Sequence, residues 1–149
     1  MNSLSFSLAL LCTLQAASAQ GGPTTSTNAE DLIALIRANN LDGLRRLDAN
    51  PNVVSRLGEA PLHYAATYGS VDSVRILLER GADPNAPVEK AVRPLHYAAK
   101  CDSREVVDAL LAAGANPQLK DGEHEATASD WARFFGNFDL AGYLERVEG

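Results

Sequence analysis

Apolar positions along the chain recur at helical spacing. Leu32, Ile33, Leu35 and Ile36 form one apolar run, the expected buried face of a helix. Val74, Leu77 and Leu78 stand at i, i+3 and i+4, and Val107, Leu110 and Leu111 repeat the same spacing. Each trio predicts a helix that turns one stripe into a core. A shorter segment precedes each trio, opening on Pro61 and Pro94 and rich in alanine at Ala65, Ala66, Ala98 and Ala99. Proline suits the first helical turn, where no intrahelical amide is lost. Alanine lets neighbouring helices approach closely. Polar residues and glycine separate the segments, so the pattern predicts paired helices.

The pairs are copies of one another. Pro61-Leu62-His63-Tyr64-Ala65-Ala66 returns as Pro94-Leu95-His96-Tyr97-Ala98-Ala99, 33 residues later. Leu77-Leu78-Glu79-Arg80-Gly81-Ala82-Asp83-Pro84-Asn85 returns at the same offset as Leu110-Leu111-Ala112-Ala113-Gly114-Ala115-Asn116-Pro117-Gln118. A weaker copy, Thr127-Ala128-Ser129-Asp130-Trp131-Ala132, follows after 34 residues, which implies one inserted loop residue. Gly81 and Gly114 are placed to stop the second helices in left-handed caps. Gly69 and Gly136 suit the turn inside a pair, where Asp102 stands in the third unit and would take left-handed geometry at some cost.

These residues resemble the ankyrin repeat, whose pattern joins a Pro-Leu-His helix start to a Gly-Ala-Asp-x-Asn ending. The resemblance implies an all-α ankyrin-repeat solenoid of about four helix-pair repeats with β-turn connections. It covers residues 28–149, as repeats at about 28–56, 57–89, 90–122 and 123–149. The first unit, Glu30 to Asn50, is recognised only by its two apolar segments, and the last lacks the Pro, Leu and His of the motif. Irregular end units are expected where one side faces water. The implied structural positions are Pro61, Leu62, His63, Gly69, Gly81, Pro94, Leu95, His96 and Gly114. In the family the histidine bonds backbone between repeats, which argues against reading His63 and His96 as metal ligands.

The resemblance also implies a binding face. Arg37, Thr67, Tyr68, Lys100, Phe134 and Phe135 take groove-facing positions. Cys101 is equivalent to Tyr68 and Phe135, and is either an accessible thiol or a half-buried one. Loop tips supply Arg56, Leu57, Glu59, Glu89, Lys90, Val92, Lys120, Glu123, His124 and Glu125. Phe134 and Phe135 either contact a partner or close the C-terminal end. Trp131 replaces Tyr64 and Tyr97 and is expected in the core.

The start of the chain has another character. Leu4 to Leu14 is apolar but too short to span a bilayer, and Ala17-Ser18-Ala19 is a small-x-small cleavage pattern. Residues 1–19 therefore read as a secretory signal, although no Lys or Arg precedes Arg37. Residues 20–27 read as a flexible linker. Thr27-Asn28-Ala29-Glu30 has capping-box spacing. The expected location is the periplasm or outside the cell, without stable membrane insertion after cleavage.

Charge narrows the partners. The formal net charge is −6, which disfavours nucleic acid, since phosphate binding needs clustered cations. Only two cysteines occur, Cys12 in the leader and Cys101, so the mature chain has no internal disulfide. No nucleophile elbow, phosphate loop or zinc spacing is present. Asp121, Glu123 and Glu125 do not match a calcium loop. His124 is either a group titrating near neutrality or a solvated loop residue. The expectation is a monomeric, exported protein-binding module with no catalytic residues, cofactor or metal. The alternatives are a self-associating or structural repeat and, last, an enzyme.

Overall fold

The computed structural model describes residues 29–56, 58–68 and 70–149. The expected signal at 1–19, the linker at 20–27, the Thr27 cap, Leu57 and Gly69 lie outside the described residues. Eight α-helices follow in order and no strand occurs among the described residues. They are α1 (Ala29–Arg37), α2 (Leu41–Arg46), α3 (Pro61–Thr67), α4 (Val71–Glu79), α5 (Pro94–Lys100), α6 (Arg104–Ala112), α7 (Ala128–Phe134) and α8 (Phe138–Glu148). Successive helices form four antiparallel pairs. The odd helices stack as one layer, α1 on α3 on α5 on α7, and α2, α4 and α6 stack beside them.

The core is a ladder with one rung per pair. Leu44, Leu77, Leu110 and Leu144 hold equivalent places on the four second helices, and all have zero exposure. Val74 and Val107 are equally buried. Leu78 and Leu111, expected in the core, are only half-buried, while Ile76 and Val106 are buried in full. The first helices meet through Ala65, Ala66, Ala98 and Ala99, none of them exposed. Burial of this apolar surface, at roughly 25 cal/mol per Å2, drives the stacking.

Several backbone expectations hold. Gly81 and Gly114 end the second helices at φ +91° and +97°, a region that penalises any Cβ. Asp102 turns the third pair at φ +55°. Glu30 is engaged across the first repeat. Its carboxylate accepts from the Arg56 amide at 3.1 Å, which lowers the carboxyl pKa.

The first unit carries more of the motif than its apolar segments suggest. Asn50-Pro51-Asn52 lies 33 residues before Asp83-Pro84-Asn85 and does the same work. The Asn52 side chain donates to the Gly81 carbonyl at 3.0 Å and accepts from the Asp83 amide at 2.8 Å. Asn85 does the same to Gly114 at 3.0 Å and Asn116 at 2.7 Å. Gln118 continues the chain of bonds to the Glu148 carbonyl at 2.9 Å. Each repeat is thus latched to the next by one amide side chain, which satisfies carbonyls left free at a helix end.

Arg80 adds a second latch. Its guanidinium donates to the carbonyls of Leu44 at 2.5 Å, of Ala49 at 3.1 Å, and of Leu47. A cation here meets the negative end of α2 and fixes the first repeat to the second.

The tip between α4 and α5 is strained. Lys90 and Ala91 sit at φ +59° and +53°, while Val88 donates to the Val92 carbonyl at 2.9 Å to close the turn. A non-glycine residue costs about 1–2 kcal/mol in that region. Ala91→Gly removes this cost at the expense of about 0.5–1 kcal/mol of unfolded-chain entropy. The variant is expected to gain up to about 1 kcal/mol in urea unfolding. A destabilised Ala91→Gly would contradict the left-handed geometry.

Candidate functional site

The site is built between the tips and the odd helices. The histidines set its depth. His63, on α3, directs Nε2 to the Val92 carbonyl of the next tip at 3.2 Å. His96, on α5, does the same to Ala126 at 3.2 Å and accepts the Arg93 amide on Nδ1 at 3.0 Å. Burial lowers both pKa values, that of His63 to about 4. Both rings are therefore neutral at pH 7 and serve as inter-repeat struts. Among the described residues no group of three His, Cys, Asp or Glu side chains is placed to hold a metal.

Two clefts open on this face. The first, about 410 Å3, lies between α3 and the strained tip. It gathers Glu59, Thr67, Tyr68, Glu89 and Lys90 from the expected set, with Tyr64 and Tyr97 as its aromatic walls. Val92, at the end of the tip, also borders it, as a buried residue whose carbonyl takes the His63 bond. Tyr68 is 62% exposed and stacks on Tyr64 at 4.4 Å. Arg37 braces this pair from the preceding repeat, donating Nε to the Tyr64 hydroxyl at 2.5 Å. Burial, and then Glu59 and Glu89, raise the Tyr97 hydroxyl pKa.

The second cleft, about 330 Å3, lies between α7 and the last tip. It brings His124, Phe134 and Phe135 together with Ala126, Asp130 and Trp131. Lys100 stands at its edge, Nζ 5.2 Å from the Phe135 ring centre. Phe134 is 84% exposed and Phe135 is 44% exposed, so neither closes the core. Trp131, expected in the core, is half-buried and lines the cleft.

Asp121 holds the last tip from beneath. Burial would raise its pKa, yet the amides of His124 at 2.8 Å and Ala126 at 3.2 Å and the Trp131 Nε1 at 2.8 Å outweigh that and lower it to about 2. Those donors occupy the carboxylate oxygens, so Asp121 is a turn anchor and not a calcium ligand. The inserted residue of this loop is accommodated here, with Glu125 at φ +52°.

The remaining tip residues are divided. Lys90 and Glu123 pair with each other across neighbouring tips at 2.8 Å. Gly122 donates to the Lys90 carbonyl at 2.7 Å, and a Cβ there would meet that oxygen at 3.2 Å. Arg56, Lys120 and Glu125 are exposed and line neither cleft. Cys101 is exposed, its thiol donating to the Thr67 carbonyl at 2.9 Å. Burial of its sulfur raises the pKa against the pull of Lys100, so the thiol is not activated.

Phe138 was not among the expected contacts, yet it is 67% exposed at the start of α8. The segment Phe134-Phe135-Gly136-Asn137-Phe138 signalled it, since three phenylalanines around a turn exceed what a two-helix end can bury. No helix among the described residues is long and apolar enough to cross a membrane.

Among curated proteins no significant match accompanies the chain. The family model for ankyrin repeats matches in three copies over residues 30–121, more than half of the sequence. The histidine struts, the glycine-capped second helices and the stacked pairs agree with that match, and the chain belongs to the ankyrin-repeat family.

Proposed function

We propose that this is an exported protein-binding module that holds its partner in the concave clefts and at the adjoining tips. Ankyrin repeats in general mediate protein–protein contact, on a stacked scaffold whose surface residues vary without disturbing the core. The observation that carries the reading is the exposure of Tyr68, Phe134 and Phe135 beside two clefts on that face. Aromatic side chains and nearby cations on a rigid wall supply the anchors that dominate protein interfaces. Export rests on the leader at 1–19 and on cleavage after Ala19, and it places the partner in the periplasm or outside the cell. The chain acts there as a monomer.

Crosslinking the tagged mature protein in its own cells identifies the partner, and N-terminal sequencing of the same sample reads the cleavage site. A mature chain starting at Gln20 is the expected result, and retention of Met1 would defeat export. Purified partner is then titrated against Tyr68→Ala combined with Lys100→Glu. Both side chains are exposed, so melting should stay near wild type while affinity falls at least about tenfold, the scale of losing an anchor. Unchanged affinity would remove the groove from the interface.

A further inference from the structure

Cations of one repeat lie on aromatic rings of the next at two of the three junctions. The Arg37 guanidinium is 5.5 Å from the Tyr64 ring centre, Lys100 Nζ is 5.2 Å from Phe135, and the Arg104 guanidinium is 3.2 Å from Tyr143. Lys100 and Arg104 are thus the cations that the third repeat sets on rings of the fourth. One repeat later, at the offset of 34, their places are taken by Phe134 and Phe138. These two rings are 84% and 67% exposed at the C-terminal end of the solenoid. Among the described residues no cation stands over either of them.

The last unit has the complementary charge for a basic visitor. Residues 122–149 carry six carboxylates against two guanidinium groups; Arg133 pairs with Glu145 and Lys90 of the preceding tip pairs with Glu123, which leaves four carboxylates against Arg146. Two copies meeting by these ends would set like charge against like charge, which is unfavourable at close range. A cation over an aromatic face is attracted, and more so once water is displaced.

We propose that Phe134 and Phe138, flanked by the Trp131–Phe135 cleft, dock a lysine- or arginine-rich segment of the partner protein, its cations lying on the exposed rings. The inference rests on the protein-binding function proposed above and names the chemistry of the partner. It extends the binding surface beyond the concave face to the end of the stack.

Trp131 is the only tryptophan in the chain and lines the adjoining cleft, so its fluorescence reports occupancy. The probe is a library of random twelve-residue peptides displayed on phage and panned against the full mature chain. Enriched peptides are then synthesised without tryptophan and titrated. An excess of Lys and Arg is expected among them, with a saturable Trp131 signal and weaker binding at high salt. Phe134→Ser with Phe138→Ser should weaken binding at least about tenfold, and Phe138→Ser alone by several-fold, with unchanged melting. Neutral or acidic peptides, or affinity indifferent to both variants, would overturn the proposal. Peptides lost instead with Tyr68→Ala and Lys100→Glu would leave the groove reading standing without it. No binder at either surface would defeat both. A dimer in light scattering that Phe134→Ser and Phe138→Ser dissolve would show that the ends receive a second copy, and the proposal would fall.

Discussion

Leu77→Ala and Leu110→Ala are each expected to reduce unfolding free energy by about 2–5 kcal/mol, the range for truncating a buried leucine. Both side chains have zero exposure and lie in the two inner repeats, with a packed neighbour on either side. A stacked array has no distant contacts to compensate a lost rung, because each repeat touches only the next. The described chain also has no disulfide to restrain its unfolded state. A domain of this size has about 0.05–0.15 kcal/mol of stability per residue, so one such cavity removes a large share of the total. The melting temperature should fall by about 10 °C or more. Leu44→Ala is expected to cost less, since the first repeat has a neighbour on one side only and less structure to disturb. Urea unfolding followed by circular dichroism measures all three. Midpoints near wild type for Leu77→Ala and Leu110→Ala would contradict the burial of the second helices.

That core was legible because its signals are local and repeated. Pro61 and Pro94 mark helix starts, Gly81 and Gly114 mark helix ends, and the leucines between them keep a helical period. Asp102 was readable as a left-handed turn because it stands where other units have glycine. The same logic extends to Asn52, whose Ala49-Asn50-Pro51-Asn52 context aligns with Ala82-Asp83-Pro84-Asn85; the divergent helix before it hid the match. Arg80 gave no such signal. Its counterpart in the next repeat is Ala113, and its bonds to the carbonyls of Leu44 and Ala49 depend on how two repeats are set against each other.

The candidate site divides along the same line. Tyr68, Lys100, Phe134 and Phe135 are carried by helix ends, and their register on a repeated helix placed them on one face. The tip residues depend on turn geometry that no repeat fixes. The double left-handed turn at Lys90 and Ala91 turns Val92 inward and brings Lys90 to Glu123. The Asp121–Trp131 bond likewise requires the longer last loop, which has no copy elsewhere in the chain.

His63 makes the fold acid-sensitive well above the range of its carboxylates. Burial is the chief cause that lowers its pKa from 6.5 to about 4, and its Nε2 proton is committed to the Val92 carbonyl. Nδ1 is buried without a hydrogen bond, and the backbone carbonyls of Val92 and Ala86 offset only part of the cost of charging the ring. The unfolded chain takes that proton at pH values below about 6.5, while the folded chain refuses it until about pH 4. Stability from this group is therefore complete above pH 6.5 and is lost progressively down to pH 4, by about 3 kcal/mol in all. His96 acts in the same direction, since burial is the chief cause that lowers its pKa too. Below that window Asp121, held down to about 2 by its three donors, adds a further loss as pH falls from about 4. His63→Gln cannot titrate, yet its amide can still donate to Val92. Comparing urea unfolding at pH 7.5 and pH 4.5, wild type should lose most of the 3 kcal/mol, and His63→Gln should lose distinctly less while starting from lower stability. Equal losses in the two proteins would mean that the strut between the second and third repeats is not the group that acid attacks.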